Sequence, residues 1–157
     1  MGYYDIGQIC LSGHIINGSY NEFPEYSKEY CPKCGEKTII RCPKCNNYIQ
    51  GDHHSFYSEI KTTPAFCPHC GEPYPWTKEK LDSTNELLSL ESALSQEELD
   101  YFKQNLNSVL VDTPKTKLVA TKLKLAINKT SSVVGSALRD ILVDIASETA
   151  KKIIFPE

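Results

Sequence analysis

Three short runs carry metal chemistry: CPKCG at residues 31–35, CPKCN at 42–46 and CPHCG at 67–71. Two cysteines separated by two residues can aim both sulfurs at one ion across a tight turn. The residue after the second cysteine often needs a left-handed backbone. Gly35 and Gly71 accept that freely, and Asn46 is the next best choice. The three pairs supply six thiolates. Cys10 is the seventh cysteine, and His14 follows it after three residues, with Gly13 easing the turn. The donors are therefore Cys10, His14, Cys31, Cys34, Cys42, Cys45, Cys67 and Cys70, which make two tetrahedral sets with none left over.

Zinc is the expected metal, at two Zn2+ per chain. Thiolate-rich tetrahedral sites with one imidazole suit it, and sites closed by four protein ligands are structural. In a cytoplasmic chain, paired cysteines of this kind bind metal in preference to forming disulfides. An iron–sulfur cluster takes four cysteines, and seven cannot fill two such sites. A redox CxxC is conceivable for one pair, but nothing resembles a thioredoxin-like βαβ unit.

The simplest pairing is sequential: Cys10, His14, Cys31 and Cys34 in one site; Cys42, Cys45, Cys67 and Cys70 in the other. Sixteen residues separate His14 from Cys31, and 21 separate Cys45 from Cys67, close to a zinc-ribbon span. A rival joins Cys31 and Cys34 to Cys42 and Cys45 across the seven residues GEKTIIR. A cross-braced arrangement is a third possibility. His69 sits inside a knuckle and is expected to face solvent. His53 and His54, in QGDHHSFYSEI, are expected on a solvated hairpin, with contact to a metal or a partner as the alternative.

The elements that must hold these donors fall in two halves. All seven Cys and all four His lie before Thr77, with eight of the nine Tyr and the only Trp. The boundary belongs in GEPYPWT, whose prolines and aromatics suggest a stiff connector packed on one half. The fold class is a small α+β: a double zinc-ribbon module with short antiparallel strands over 1–76, then an all-α helical bundle or arm over 77–157. Strands are predicted at 38–41, 48–51 and 65–66. A module this small has little room for a core. Tyr3, Tyr4, Tyr20, Phe23, Tyr26, Tyr30, Tyr48, Phe56, Tyr57, Phe66, Tyr74 and Trp76 are therefore expected mostly to pack over the sulfurs.

Helices are predicted at 78–90, 96–110, 114–128 and 132–154. Ser95 with Glu98 fits a capping box. Pro114 suits a first helical position, and Ser131 or Ser132 can cap the last helix. Residues 78–112 carry three Lys against eight acids, and residues 113–129 carry five Lys and no acid. At about 100° per residue, Val119, Ala120, Leu123, Ala126 and Ile127 share one face. Leu118 and Leu125 lie between the lysine rows, either as a contact surface or packed on a neighbouring helix. In 132–154 the apolar pairs step by four and drift about 200° from Val133 to Ile153, so one straight neighbour cannot cover them. The half at 146–155 is accordingly expected to meet a second copy or a partner. Lys115, Lys122 and Lys129 are the expected neighbours of Asp140, Asp144 and Glu148.

The 157 residues carry 17 Lys and Arg, 20 Asp and Glu, and 40% apolar residues, which is a foldable, soluble composition. There is no signal-peptide pattern at the start, no apolar run long enough for a membrane span, and Ile6 spoils a myristoylation signal. The chain is read as cytoplasmic, with no membrane association.

The run from Gly2 through YCPKCG, RCPKC and FCPHCGEPYPWT, then DTP and ALRDILVDIASETAKK, resembles a family of uncharacterised bacterial proteins with an N-terminal zinc ribbon. The similarity covers nearly the whole chain. It implies zinc and a bacterial cytoplasm, and it implies no activity. CPKCN departs from the usual glycine in the middle knuckle.

Three functions are compatible with these residues. The first is a non-enzymatic interaction or scaffold protein, with a protein partner or self-association through the C-terminal helices. The alternative is nucleic-acid binding, with aromatics stacking on bases. Two Zn2+ and seven thiolates take the formal charge from −3 to about −6, and only residues 114–129 are basic, so nucleic acid is not favoured. A metalloenzyme comes last, because catalytic zinc keeps an open position and no nucleotide loop, HExxH or nucleophile motif is present.

Overall fold

The computed structural model describes residues 2–55 and 58–156. Contacts divide the chain into an N-terminal unit, Met1–Lys78, and a C-terminal unit, Glu79–Glu157. This is the α+β class expected: short antiparallel strands come first and helices follow.

The N-terminal unit holds five strands, β1 (Tyr4–Ile6), β2 (Gln8–Cys10), β3 (Ile15–Asn17), β4 (Thr38–Ile39) and β5 (Gln50–His53). β2 is the middle of a three-stranded antiparallel sheet with β3 and β4, with Ile9 opposite Ile15 and Ile39. β1 pairs with β5, placing Tyr4 opposite His53. Pro24–Tyr26 is one 3-10 turn. The strands β1 to β3 were not foreseen, and the strand expected at 65–66 reduces to a single bridge, Phe66 with Pro73. Three-residue strands bury too few side chains to leave an alternating pattern; here donors and turn hydrogen bonds set the register instead.

The core of this unit is small: Ile9, Ile49, Tyr74 and Trp76 buried beside Cys42 and Cys67. The rings of Tyr74 and Trp76 stack at 4.8 Å and 24°. The Trp76 indole N–H donates to the Pro64 carbonyl at 2.8 Å. The connector thus packs on the N-terminal half, as its prolines and aromatics suggested.

Helix α1 (Pro75–Ser89) begins in the first unit and ends in the second. It is followed by α2 (Gln96–Asn105), α3 (Asn107–Leu110), α4 (Thr116–Asn128), α5 (Ser132–Ile145) and α6 (Glu148–Ile154). The Ser95 capping box forms, with the Glu98 amide donating to Ser95 Oγ and the Ser95 amide to Glu98 Oε1, both at 3.2 Å. The core of the unit gathers Leu88, Phe102, Val109, Val119, Leu123, Leu138, Leu142, Ala150 and Ile154.

Three helical expectations need correction. Pro114 lies outside its helix, which starts at Thr116. The Thr113 amide donates to Thr116 Oγ1 at 2.7 Å, and this turn occupies the place of a first helical residue. The 96–110 helix is interrupted at Leu106. The long C-terminal helix breaks at Ala146, whose backbone is extended, and Ser147 caps α6 by accepting from the Ala150 amide at 3.2 Å. This break resolves the drift of the apolar stripe: two short helices can each face the core where one straight helix cannot. α6 then packs on α4, with Ala150 and Ile154 buried. In the half expected to meet another chain, Ala146, Ala150 and Ile154 are buried in the unit's own core and Ile153 and Phe155 pack against it.

The lysines go elsewhere as well. Lys129 Nζ lies 3.1 Å from Glu98 Oε2 on α2, and the Lys122 ammonium sits 4.0 Å from the Tyr101 ring centroid. Leu118 and Leu125 do not pack on a neighbouring helix; they are 54% and 59% exposed.

Candidate metal centres

The three CxxC runs fold into one repeated backbone unit. In each, the amide of the fifth residue donates to the carbonyl of the first cysteine at 2.8 Å: Gly35 to Cys31, Asn46 to Cys42 and Gly71 to Cys67. Each first cysteine in turn donates its amide across the turn, to Glu36, Asn47 and Glu72. The fifth residue is left-handed in all three, with φ of 77° at Gly35, 65° at Asn46 and 76° at Gly71. Asparagine tolerates this region because its short polar side chain can hydrogen-bond locally. Bridges between Tyr30 and Lys37, Arg41 and Tyr48, and Phe66 and Pro73 flank the three turns.

The fourth turn is different. Cys10 ends β2 and His14 follows the turn; the Cys10 amide donates to the His14 carbonyl at 3.0 Å, and the Gly13 amide to the Cys10 carbonyl at 2.9 Å. Gly13 has φ of 96°, and a Cβ there would come within 3.1 Å of Trp76 Cβ. Glycine here serves both backbone conformation and close packing.

These turns converge in two sets: Cys10, His14, Cys31 and Cys34; and Cys42, Cys45, Cys67 and Cys70. Within each, the donor atoms lie within 4.8 Å of one another. The sequential pairing is the one the structure adopts; the GEKTIIR hairpin separates its two cysteine pairs into different sites. Tetrahedral sulfurs at about 2.3 Å from one ion stand about 3.8 Å apart, and a sulfur and an imidazole nitrogen about 3.6 Å apart. Cys10 and Cys34 sulfurs are 3.7 Å apart, Cys42 and Cys70 3.8 Å, Cys45 and Cys67 3.6 Å. His14 Nδ1 is 3.4 Å from the Cys10 sulfur and 3.6 Å from the Cys31 sulfur. The residues present therefore fit a four-coordinate ion at each place. His14 offers Nδ1.

Amides are aimed at the sulfurs, as anionic thiolates require. The His14 amide reaches Cys10 at 3.2 Å, the Lys33 amide Cys31 at 3.4 Å and the His69 amide Cys67 at 3.4 Å, while the Asn47 side-chain amide reaches Cys45 at 3.2 Å. The Glu36 amide heads the interactions that bring the Cys34 thiol down to about 6. Burial opposes ionisation of Cys67, yet the His69 and Cys70 amides outweigh it and hold that thiol at about 6. Burial and the Cys67 sulfur together push the Tyr74 phenol up. In each set the first cysteine of a knuckle is buried, while Cys34 and Cys70, both second cysteines, are exposed.

The aromatic shield expected over the sulfurs is mostly absent among the described residues. Tyr74 and Trp76 provide it, whereas Tyr3, Tyr4, Phe23, Tyr26, Tyr30 and Tyr48 are exposed. The shield is partial, since Cys34 and Cys70 stay exposed. Arg41 lies 3.9 Å over the Tyr48 ring. Phe56 and Tyr57, also expected to shield, lie outside the described residues. His69 is exposed, as its place inside a turn suggested.

His53 and His54 are not merely solvated. His54 Nε2 bonds the Asp5 carboxylate at 2.7 Å. The Asp5 side chain is fully buried and also accepts the Ile6, Asn21 and Glu22 amides. Burial would raise that carboxyl, but the His54 bond and these amides hold it below its ordinary value. The His53 ring meets Tyr4 edge-on at 4.6 Å. Both histidines line a cleft of 380 Å³ with Glu22, Phe23, Tyr26 and Asp52. Sequence reading missed Asp5 because it lies 49 positions before His54 and no local pattern links them. The two donor sets are the metal-type clusters found among the described residues, and this cleft is not one of them.

No described helix is long and apolar enough to cross a membrane. A family model described as "Uncharacterized protein conserved in bacteria (DUF2321)" matches residues 3–154. Neither a curated protein nor a solved structure matches the chain.

Proposed function

We propose that this chain, which belongs to that family of bacterial proteins, is a zinc-binding interaction protein without catalytic activity, its two ions structural and its C-terminal helices meeting a protein partner. One observation carries the reading: each donor set supplies four protein ligands at tetrahedral separations. A closed four-ligand site leaves no position for substrate or activated water. Seven sulfurs and one imidazole nitrogen match zinc better than magnesium, calcium or manganese, which prefer oxygen. Because donors brought together from 24 and 28 residues apart must be held against chain entropy, the ions contribute folding energy to a unit whose core is small. The reducing bacterial cytoplasm is the compartment in which such thiolates persist unoxidised.

The exposed tyrosines favour one second reading, nucleic-acid stacking. The net charge of −3 before metal argues against it, since phosphate binding needs a broad positive field. Two measurements on the purified chain test the proposal. Elemental analysis should give two zinc ions per chain, and filter binding with single-stranded DNA and RNA should give no retention that falls with salt. One ion, or iron with a visible chromophore, rejects the two-site scheme. Tight salt-dependent retention rejects the interaction reading in favour of the second.

A further inference from the structure

Two helices of the C-terminal unit present outward stripes of opposite charge. On α4 the core side is taken by Thr116, Val119, Ala120, Leu123, Ala126 and Ile127. The opposite side carries Leu118, Thr121 and Leu125, all exposed. Leu118 and Leu125 are seven residues apart, about 10.5 Å along the axis and nearly in line. Lys117 and Lys124 edge one flank of this pair; Lys115, Lys122 and Lys129 edge the other. Lys122 and Lys129 are engaged with Tyr101 and Glu98. Lys115, Lys117 and Lys124 have no ion-pair partner among the described residues. Beside Leu125 a groove of 600 Å³ opens between α2 and α4, lined by Tyr101 and Phe102.

On α5 the core side is Gly135, Leu138 and Leu142. The outward stripe is Val133, Asp140 and Asp144, within about 20° of one line on the helix surface, and Val133 is 78% exposed. Neither aspartate has an ion-pair partner among the described residues. α4 and α5 are neighbours in the unit, joined by three residues. One helix thus offers leucines edged by unpaired lysines, and the next offers a valine followed, two and three turns on, by unpaired aspartates.

We propose that the partner of this surface is a second copy of the chain, in a two-fold dimer that lays α4 of each copy against α5 of the other. The inference rests on the interaction reading above and names its partner. Charge complementarity selects this occupant. A two-fold axis between the helices brings each lysine-edged stripe to an aspartate stripe twice over, because a residue i meeting j implies j meeting i. Leu118, Leu125 and Val133 leave water in the same step.

The test uses the full zinc-loaded chain in sedimentation velocity. At low salt and high concentration its mass should be twice the 17.7 kDa of one chain, and the dimer should weaken as salt rises. Lys117→Glu with Lys124→Glu turns one flank of the leucine pair acidic, like the α5 stripe, and Asp140→Lys with Asp144→Lys makes the α5 stripe basic, like α4. Each double variant alone should sediment as a monomer, and an equimolar mixture should recover the dimer, since every contact is then again between opposite charges. Leu118→Ser with Leu125→Ser, which removes the apolar contact without adding charge, should be monomeric and unrescued by either. Zinc content and helical circular dichroism, unchanged in each, separate loss of the contact from loss of the fold. A wild type that stays monomeric at 500 µM, or charge variants that stay monomeric on mixing while wild type dimerises, overturns the proposal. A monomer with two zinc ions and no nucleic-acid affinity overturns self-pairing alone. A chain that lacks the zinc or binds nucleic acid overturns the underlying reading instead.

Discussion

Cys31→Ala and Cys67→Ala should each remove one metal ion and leave the other with a distinguishable ligand shell. The two donor sets share no residue. Seven sulfurs and one nitrogen over two zinc ions average about 3.5 sulfurs and 0.5 nitrogen per ion. Removing Cys31 leaves Cys10, His14 and Cys34, an incomplete shell, while Cys42, Cys45, Cys67 and Cys70 stay whole. The surviving zinc in that variant should show four sulfurs at about 2.3 Å and no nitrogen. In Cys67→Ala the surviving zinc should show three sulfurs and one nitrogen, at about 2.3 and 2.0 Å. X-ray absorption at the zinc edge reads coordination number and donor type, and elemental analysis reads the fall from two ions to one. Each variant should also lose order locally, since ligand convergence and folding are one event in such modules. The Cys31 variant should loosen β2 and the turn at Gly13; the Cys67 variant should loosen the Tyr74–Trp76 stack. Identical mixed shells in both variants, or both ions lost from either one, would refute the separation of the sites and with it the sequential pairing.

Gly13→Ala forces a side chain into a backbone with φ of 96° and to within 3.1 Å of Trp76 Cβ. It should destabilise the first site by about 1–2 kcal/mol, seen as faster zinc transfer to a chelator from one of two ions; equal transfer rates in variant and wild type would sink this. Ser147→Ala removes the cap of α6 and should cost about 1 kcal/mol, read as a lower urea midpoint of the helical signal with unchanged slope. An unmoved midpoint would mean that the Ala146 break is held by packing alone. The Ser95 amide and Lys129 hold the Glu98 carboxyl below its ordinary value, so its charge contributes stability above the unfolded carboxyl's value, lost as pH falls through the lower folded one. Glu98→Gln keeps an acceptor for the capping box but not the charge. It should weaken the helical unit at pH 7, and the deficit should shrink once pH falls below the ordinary carboxyl value of about 4.3 and disappear below the lower folded one; a deficit that persists in acid would exclude the charge as its cause.

The donor sets were legible because their grammar is local. Two residues between cysteines and a left-handed-tolerant fifth residue specify each turn without reference to the rest of the chain, and eight donors divide into two fours in few ways. The α4 core face was legible for a similar reason, because five apolar residues at helical spacing have one face to bury. Where several distant segments had to agree, local pattern was silent. β1 to β3 are three residues each, and Asp5 finds His54 only once β1 and β5 pair. Ser147 reads as one polar residue in an apolar-periodic run, and only the core around Val109, whose carbonyl takes the Ser147 amide at 2.8 Å, makes it a start signal. The aromatics misled because size suggests burial, while this metal-centred unit leaves Cys34 and Cys70 exposed and, among its described aromatics, buries Tyr74 and Trp76.

Trp76 is the single tryptophan of the chain, and its ring lies 3% exposed in the core of the zinc unit, stacked on Tyr74 and tethered to Pro64. The tryptophan emission of this protein is therefore a reporter for one unit only. Far-ultraviolet ellipticity, by contrast, is dominated by α1 to α6, most of whose residues lie in the other. A single denaturation followed by both signals gives two curves from an unlabelled chain, one for the loss of the metal-held unit and one for the helices. Chelator added under native conditions should redden and dim the indole while leaving the ellipticity nearly still. The two halves can thus be dissected optically without cutting the chain.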